Sequence, residues 1–417
     1  MRIKRLELEN FRGFQKASVN FPEGNVAVFF GWNGAGKTAV LDAVAIVFRS
    51  IFQRSIPFGF GWKDDDILIG ENKASINAKY FLLGEDESFS SELPLGNSPT
   101  WTLPSHRLTE DIQPLVVYYK TNREVVDSDY RGTSSVRIDM NSGRTSGYNY
   151  TIDAGINTFS DFIAWFRYEE DLENQQKLEN QDLKYQSPRL KTIRQAISVF
   201  LSKMNADYSD LKVQRQSNGE VDFSKPSSNS ELYIQKAGQK LKLSQLSFGE
   251  RSLILLVADI ARRATILNPQ MPDPLQSPGV VLIDEIELHL HPKWQRAVIP
   301  ALQATFPNIQ FIIATHSPQV LSEVENGGVF EIENFQIHPR DTYGRDNNWL
   351  LHVIMEDDER PEEVQQDLEE YFALLRNGQL DAAARLRQQI EEKIGTDEPE
   401  FVKADILLRR KERALAS

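Results

Sequence analysis

The sequence predicts an α/β fold built around a parallel sheet that carries a glycine-rich loop. An apolar run, NVAVFF, passes into GWNGAGKT and then into TAVLDAVAIVF, whose apolar residues recur at helical spacing. Two further runs, GVVLIDE and IQFIIATHS, have the continuous apolar character of strands buried on both faces. The segment between them, PKWQRAVIPALQATF, is predicted to be the crossover helix that parallel pairing requires.

The composition excludes several classes of protein. A chain of 417 residues is expected to form two or three domains, and its net charge of -13 argues against a generally basic coat for DNA without excluding a local basic groove. Because there is no cysteine, disulfides, Cys-ligated zinc and iron–sulfur clusters are excluded. The N-terminus lacks an apolar signal region, and no run is long enough to span a bilayer. We therefore expect a cytoplasmic protein without a membrane partner.

The N-terminal half is predicted to alternate between strands and loops before it becomes helical. LELE at residues 6–9 alternates as a strand with one solvent-facing side does, and FPEGN is predicted to be the turn of the following hairpin. Short β-prone runs are expected over residues 51–151. Two helices are predicted at residues 159–183 and 187–205, the second with Ser187 as its N-cap and proline at its first position.

The residues after Pro318 are expected to be helical. Two charged helices are predicted to meet at Asn377 and Gly378, and a third to run from about Glu398 to Ala414.

The glycine-rich loop matches the phosphate-binding pattern G-x-x-x-x-G-K-[ST] from Gly31 to Thr38. Backbone N–H groups of such a loop wrap a phosphate chain, and the helix that follows adds its positive end. Lys37 is expected to reach the β- and γ-phosphates, and the Thr38 hydroxyl to coordinate Mg²⁺. The predicted nucleotide-binding residues of the loop are Asn33, Gly34, Gly36, Lys37 and Thr38.

LIDEIELHLHP, residues 282–292, allows two interpretations. Asp284, Glu285, Glu287, His289 and His291 could together be a metal centre for cutting nucleic acid. A phosphate-binding loop upstream favours the other interpretation, in which Asp284 ends a buried strand as a Mg²⁺ ligand and Glu285 polarises a water molecule. A helix-capping role for Glu285 is the simpler alternative. The two histidines then become loop residues.

LSFGE, residues 246–250, precedes an apolar run and by itself indicates the start of a helix. Its place between the phosphate loop and the acidic strand is similar to that of the signature motif of ATP-binding-cassette (ABC) ATPases. His316, in IIATHSP, matches their switch histidine, which senses the γ-phosphate. Because the four motifs also occur in the order found in ABC ATPases, residues 1–330 resemble an ABC-type P-loop NTPase head.

This resemblance implies a composite ATP site that uses Mg²⁺. Two ABC heads sandwich two ATP molecules, so Ser247 and Gly249 of one subunit are expected to close over the γ-phosphate held by Lys37 of another. Nucleotide binding and self-association would then be linked.

The N-terminal LELENFRGF is similar to the RecF, Rad50 and SMC side of the superfamily, which implies that Arg12 lies near the nucleotide. The glutamine that couples nucleotide to the helical lobe in ABC heads has no match. PLVVYYKTNRE takes its place, and we assign no role to Tyr118, Tyr119 or Arg123.

The short head and helical tail resemble the ATPases of Septu (PtuA-type) and retron anti-phage systems. That resemblance implies ATP hydrolysis between paired heads that gates a separately encoded HNH nuclease, with nucleic acid bound directly or through the complex. The expected organisation is an α/β head in two parts with an inserted helical lobe and a C-terminal helical extension. Its boundaries are residues 1–155 and 246–335 for the head, 156–245 for the lobe and 336–417 for the interaction region.

Two alternatives remain at this point. A RecF-like DNA-repair ATPase would need a basic surface, and RLKTIRQ and RRKER are too scattered to decide the matter. A nuclease of the OLD type would need a Toprim domain with flanking strands. EDDE at residues 356–359 instead reads as a charged helix entry.

Overall fold

The chain forms two compact units, Met1–Arg345 and Asp346–Ser417, in a computed structural model. The structure describes residues 1–52, 61–102, 112–121, 140–148, 158–215, 230–354 and 360–415. Its strands are β1 (Arg2–Phe11), β2 (Phe14–Asn20), β3 (Val26–Phe30), β4 (Lys73–Leu82), β5 (Glu85–Pro94), β6 (Thr100–Thr102), β7 (Leu115–Tyr119), β8 (Tyr208–Arg215), β9 (Ser230–Lys236), β10 (Gln239–Lys242), β11 (Gly279–Ile283), β12 (Ile309–Ala314), β13 (Val329–Glu333) and β14 (Gln336–Arg340). Its α-helices are α1 (Lys37–Ile51), α2 (Thr158–Glu179), α3 (Pro188–Lys203), α4 (Phe248–Leu267), α5 (Pro292–Thr305), α6 (Pro318–Leu321), α7 (Asn347–Trp349), α8 (Glu362–Arg376), α9 (Leu380–Ile394) and α10 (Pro399–Leu415).

A six-stranded sheet with the order β14-β13-β3-β12-β11-β7 forms the centre of the first unit. Its neighbours pair in parallel from β13 to β7, and β14 is the one antiparallel edge strand. Every residue of β3, β7, β11 and β12 is buried, as expected for a sheet covered on both faces. The α/β prediction and the three predicted buried strands are confirmed. Since these strands run the same way, their carboxyl ends share one edge of the sheet.

A second, antiparallel sheet has the order β2-β1-β4-β5-β6. The alternation predicted for residues 6–9 is confirmed, because Leu6 and Leu8 are buried and Glu9 is exposed. The predicted hairpin turn at FPEGN is wrong. β2 returns along β1 through a turn at residues 12–13, and FPEGN instead leads from this sheet to β3 in the other. Phe21 is buried beside Phe29, which favours this crossing over a solvent-exposed turn.

A buried side chain, that of Gln310, joins the two sheets. The pairing of β1 with β4 shifts register between Ile3 and Arg5. Gln310 of β12 accepts a hydrogen bond from the Ile3 N–H (2.8 Å) and donates one to the Ile3 carbonyl (3.1 Å). The amide thus satisfies both backbone groups of a residue at the irregularity, as buried polar groups require.

Residues 158–215 and 230–245 contain more strands than the helical lobe predicted from the sequence. The two predicted helices are confirmed as α2 and α3, with Ser187 at the N-cap of α3 and proline in its first turn. Ser187 caps through no side-chain hydrogen bond; its N–H instead donates to Glu173 (2.8 Å). An antiparallel sheet, β10-β9-β8, accompanies the helices.

The second unit contains the three predicted tail helices, α8, α9 and α10, and the joint at Asn377 and Gly378 is confirmed by Gly378 at a φ of 77°. The prediction that all residues after Pro318 are helical is wrong. β13 extends the parallel sheet beside β3, and β14 follows as its edge strand. Pairing with a buried strand overrides the weak local pattern, and proline in β14 suits an edge.

Candidate nucleotide-binding site

The phosphate loop joins β3 to α1 and is closed by its own lysine. The Lys37 amine donates to the carbonyls of Gly31 (2.9 Å) and Trp32 (3.1 Å). Gly36 has a φ of 112°, and a Cβ there would lie 2.7 Å from the ring of Phe14. Only glycine meets both conditions. The local motif and the packing below it therefore require the same residue.

Three carboxylates lie close enough to the Lys37 amine to affect its charge. Burial lowers the pKa of Lys37, and Asp284, Glu285 and Glu287 act against that shift. The outer residues of the loop, among them Asn33 and Gly34, are exposed. A buried cation below an exposed, glycine-rich backbone is suited to an anion that arrives from solvent.

Two oxygen groups meet beside the phosphate loop. The Thr38 hydroxyl donates to the Asp284 carboxylate at 2.9 Å. Thr38 stands in the first turn of α1, and Asp284, which is 4% exposed, follows β11 directly. Strand and helix thus bring together two residues that lie 246 positions apart in the chain. Hydroxyl and carboxylate oxygens are ligands that fit Mg²⁺.

Glu285 follows Asp284 in an unusual backbone conformation. Its φ is 48°, in the left-handed region that non-glycine residues seldom adopt. The side chain is half-buried and close enough to Lys37 to affect its pKa. Strain of this kind concentrates at functional sites, and its presence here agrees with a role in the chemistry.

His316 lies just beyond β12, at the same edge of the sheet. Burial lowers the pKa of His316, the Lys37 charge lowers it further, and Asp284 opposes both. Burial and the Lys37 charge thus favour the neutral form of the imidazole. The fold therefore brings Lys37, Thr38, Asp284, Glu285 and His316 to one place.

Ser247 and Gly249 lie at the start of α4, and contacts within that region hold them in place. Ser247 is the N-cap of α4: its hydroxyl accepts from the Glu250 N–H (3.3 Å), and its own N–H donates to the Glu250 carboxylate (3.0 Å). At Gly249 a Cβ would lie 2.3 Å from the carbonyl oxygen of His289. The start of α4 thus packs against the loop that carries Asp284 and Glu285, and the capping role expected of a helix start is present.

A family model described as "AAA domain, putative AbiEii toxin, Type IV TA system" matches residues 26–322. The match includes the phosphate loop, Ser247, Gly249, Asp284, Glu285 and His316. The chain belongs to this AAA family. It is an ATPase with a P-loop fold, as the phosphate loop and the acidic strand predict.

Two curated proteins illustrate the similarity. "Retron Ec83 probable ATPase" of Escherichia coli is 27% identical over 99% of this chain and 87% of its own length. "Septu protein PtuA" of Bacillus mycoides is 27% identical over 78% of this chain and 40% of its own length. Among solved structures, the SMC head domain of Thermotoga maritima is 18% identical, with a TM-score of 0.46 over 82% of this chain and 100% of that one. In the described residues, no helix is both long and apolar enough to cross a membrane.

Arg12 of this ATPase is held by two acids that the sequence did not single out. Its guanidinium pairs with Asp42 of α1 (2.7 Å) and with Asp66 (2.9 Å), both of which are buried. Burial acts to lower the pKa of Arg12, but these two carboxylates raise it. Asp42 was detectable as a lone acid in an apolar helix. The expected contact of Arg12 with nucleotide stays a prediction.

β7, which lies in the segment PLVVYYKTNRE, is joined to α4 by a buried hydrogen bond. The Tyr119 hydroxyl donates to Asp259 at 2.9 Å, and that carboxylate also binds Arg262 (2.5 Å) and Arg263 (2.7 Å). Asp259 has no exposed surface. The end of β7 and helix α4 therefore share one buried ion cluster. Arg123 lies outside the described residues.

The alternative interpretation of residues 282–292, a metal centre of three acids and two histidines, is not supported by the positions of the histidines. His291 caps α5 by accepting the Lys293 N–H at its Nδ1 (3.2 Å), and the exposed His289 packs its ring 4.7 Å from that of Phe248. The described part of the chain contains no group of three His, Cys, Asp or Glu residues arranged to hold a metal. EDDE at 356–359 lies outside the described residues.

Proposed function

We propose that this protein is a Mg²⁺-dependent, ABC-type ATPase of a bacterial anti-phage defence system. The names of the retron and Septu relatives support the defence role. The contact between Thr38 and Asp284 carries the enzymatic part, because it joins the hydroxyl of the phosphate loop to the acidic end of β11 beside Lys37.

Each residue of the site has a proposed task. Lys37 binds the phosphates, and Thr38 and Asp284 hold Mg²⁺, which supplies charge neutralisation at the β- and γ-phosphates. Glu285 positions the attacking water and accepts its proton. His316 donates a hydrogen bond to the γ-phosphate.

Hydrolysis is proposed to occur between paired heads. Ser247 is exposed at the start of α4, where a helix N-terminus favours an anion, so it can close over a phosphate held by Lys37 of a second subunit. Nucleotide-driven pairing then gates an HNH-type nuclease partner, which binds the C-terminal helical region. Nucleic acid is engaged by this chain or through that complex.

The Glu285→Gln variant tests the enzymatic role. It should retain ATP and stabilise the oligomer while turnover falls by roughly 100-fold or more, since removal of a general base costs 10²–10⁴-fold. Radiolabelled ATP retention and size-exclusion chromatography measure both effects. Glu325→Gln, an exposed site outside this cluster, is the matched control. Unchanged turnover in Glu285→Gln contradicts the assigned base.

Co-expression tests the partnership. The chain should co-purify with an HNH nuclease encoded next to its gene, and ATP together with Glu285→Gln should alter the nuclease activity of the complex. A nuclease whose activity is indifferent to this subunit and to ATP contradicts the gating role but leaves the ATPase assignment standing.

A further inference from the structure

Glu287 turns into its own head instead of facing solvent. The loop after β11 makes two successive turns, closed by backbone hydrogen bonds from Leu288 to Glu285 (3.1 Å) and from Leu290 to Glu287 (2.9 Å). These turns bring the Glu287 carboxylate to the loop after β12. There Oε1 accepts the backbone N–H of His316.

This bond satisfies the first backbone N–H beyond the hydrogen bonds of the sheet. The β12–β3 ladder ends near Ala314, and Thr315 still donates its N–H to the Phe29 carbonyl (3.0 Å). The next N–H, that of His316, has the Glu287 carboxylate as its acceptor. The backbone position of His316 therefore depends on a side chain from the loop that follows Asp284.

The surroundings of Glu287 are unfavourable for a charged carboxylate. Its second oxygen, Oε2, is buried and has no hydrogen-bond partner among the described residues. Burial raises the pKa of Glu287, while the hydrogen bond from the His316 N–H acts to lower it. If the carboxylate only closed a surface turn, the protein would be more stable with it exposed to water, because burial of a charged group costs free energy.

We propose that Glu287 is a positioning residue of the ATPase, which sets the His316 imidazole relative to Lys37 by holding the His316 backbone. It would thereby link the loop that carries Asp284 and Glu285 to the loop that contacts the γ-phosphate. The proposal rests on the role of His316 given above. In this proposal the position of the carboxylate oxygen, and not the charge of the carboxylate, matters for catalysis.

Two conservative variants separate reach from charge. Glu287→Gln keeps an acceptor oxygen at the same distance and removes the charge, whereas Glu287→Asp keeps the charge and withdraws the oxygen by one methylene. Positioning predicts that kcat falls further in Glu287→Asp, by roughly 10- to 100-fold, because small displacements in an active site cost up to about 100-fold. KM for ATP should change little in both variants. A lower kcat in Glu287→Gln than in Glu287→Asp overturns the proposal.

A double-mutant cycle with His316→Ala tests whether Glu287 acts through the histidine. Glu287→Asp should lower kcat in the parent and add little in the His316→Ala background, because residues that act as one unit are not additive. Equal losses in both backgrounds overturn the proposal and leave the role of His316 intact. If His316→Ala itself retains full turnover, the role of His316 fails, and the positioning role falls with it. Glu325→Asp is the control, and thermal unfolding of each variant excludes misfolding as the cause.

Discussion

The two units of the protein use arginine–aspartate pairs in opposite ways. In the first unit Asp259 is fully buried and binds Arg262, Arg263 and Tyr119. In the second, the side chain of Asp405 is 45% exposed and pairs with Arg387 on the surface of the tail helices. Buried charges fix geometry at a high desolvation cost, whereas exposed pairs contribute little. The buried cluster fixes the end of β7 against α4, and the Tyr119 carbonyl in turn accepts the backbone N–H of Asp284 (2.9 Å).

The tail helices are held mainly by apolar packing. Seven buried residues form one cluster: Leu368, Tyr371, Leu375, Ala383, Ile390, Phe401 and Ala404. Ion pairs such as Lys393 with Glu363 and Asp367 lie on the surface around it. The high content of charged residues in the tail is therefore a solvated face, not the source of its stability.

Asp259→Ala should have the largest effect. It leaves two arginines buried without their acceptor and should lower the free energy of unfolding by roughly 3–5 kcal/mol. The matched change in the tail, Asp405→Ala, should cost no more than about 1 kcal/mol. Urea unfolding of the full chain measures both. Similar costs for the two variants would break the contrast between the units.

Leu375→Ala should destabilise the tail by roughly 2–5 kcal/mol, because it removes a large side chain from a buried cluster. Hydrogen exchange of α8 and α9 measures local stability, and ATP turnover of the chain alone should stay near the parent value. Glu392→Ala, at an exposed position of α9, is the control. A loss of turnover in Leu375→Ala would show that the tail supports catalysis directly.

Tyr119→Phe isolates the neutral member of the buried cluster. The variant loses one hydrogen bond to Asp259 and should be about 1–3 kcal/mol less stable, since an acceptor loses a buried partner. Tyr343→Phe, at a site that is 58% exposed, should change the free energy of unfolding little. Denaturant midpoints compare the pair. Equal midpoints would mean that the arginines alone satisfy Asp259.

Glu250 should give the smallest effect, visible only at low pH. Burial opposes ionisation, but hydrogen bonds from Lys236, Tyr208 and Ser247 lower the pKa of Glu250 from 4.5 to about 2. Because the folded-state pKa is the lower one, this group stabilises the fold above pH 4.5 and loses that contribution as the pH falls towards 2. Solvent screening limits the contribution to about 1 kcal/mol. The melting temperature of Glu250→Gln should vary less with pH than that of the parent over this range. Parallel pH profiles for the two proteins would contradict the lowered pKa of Glu250.

Much of the site could be predicted because its motifs are local. Lys37 and Thr38 belong to one loop whose glycines require special backbone conformations, and Asp284 ends a strand whose apolar run is visible in the sequence. Some partners that hold the site could not be predicted. Asp42 and Glu287 are single acids in apolar or loop surroundings, and nothing in their neighbourhood names the group that each one binds. Asp259 differs, because Arg262 and Arg263 lie three and four residues further along the same helix, and only its bond to Tyr119 depends on the fold.

The sequence by itself determined the parallel sheet, the phosphate loop and the acidic strand, because each depends on hydrophobic period or on backbone chemistry within a few residues. Only the tertiary structure decided that β13 and β14 extend the sheet, that FPEGN crosses between sheets, and that Arg12 is bound by Asp42 and Asp66. The tertiary structure also decided which contacts the side chains of LIDEIELHLHP make. Asp284 faces Thr38, Glu287 faces the backbone of His316, and His291 caps a helix, because strand pairing and turn closure set where each side chain points.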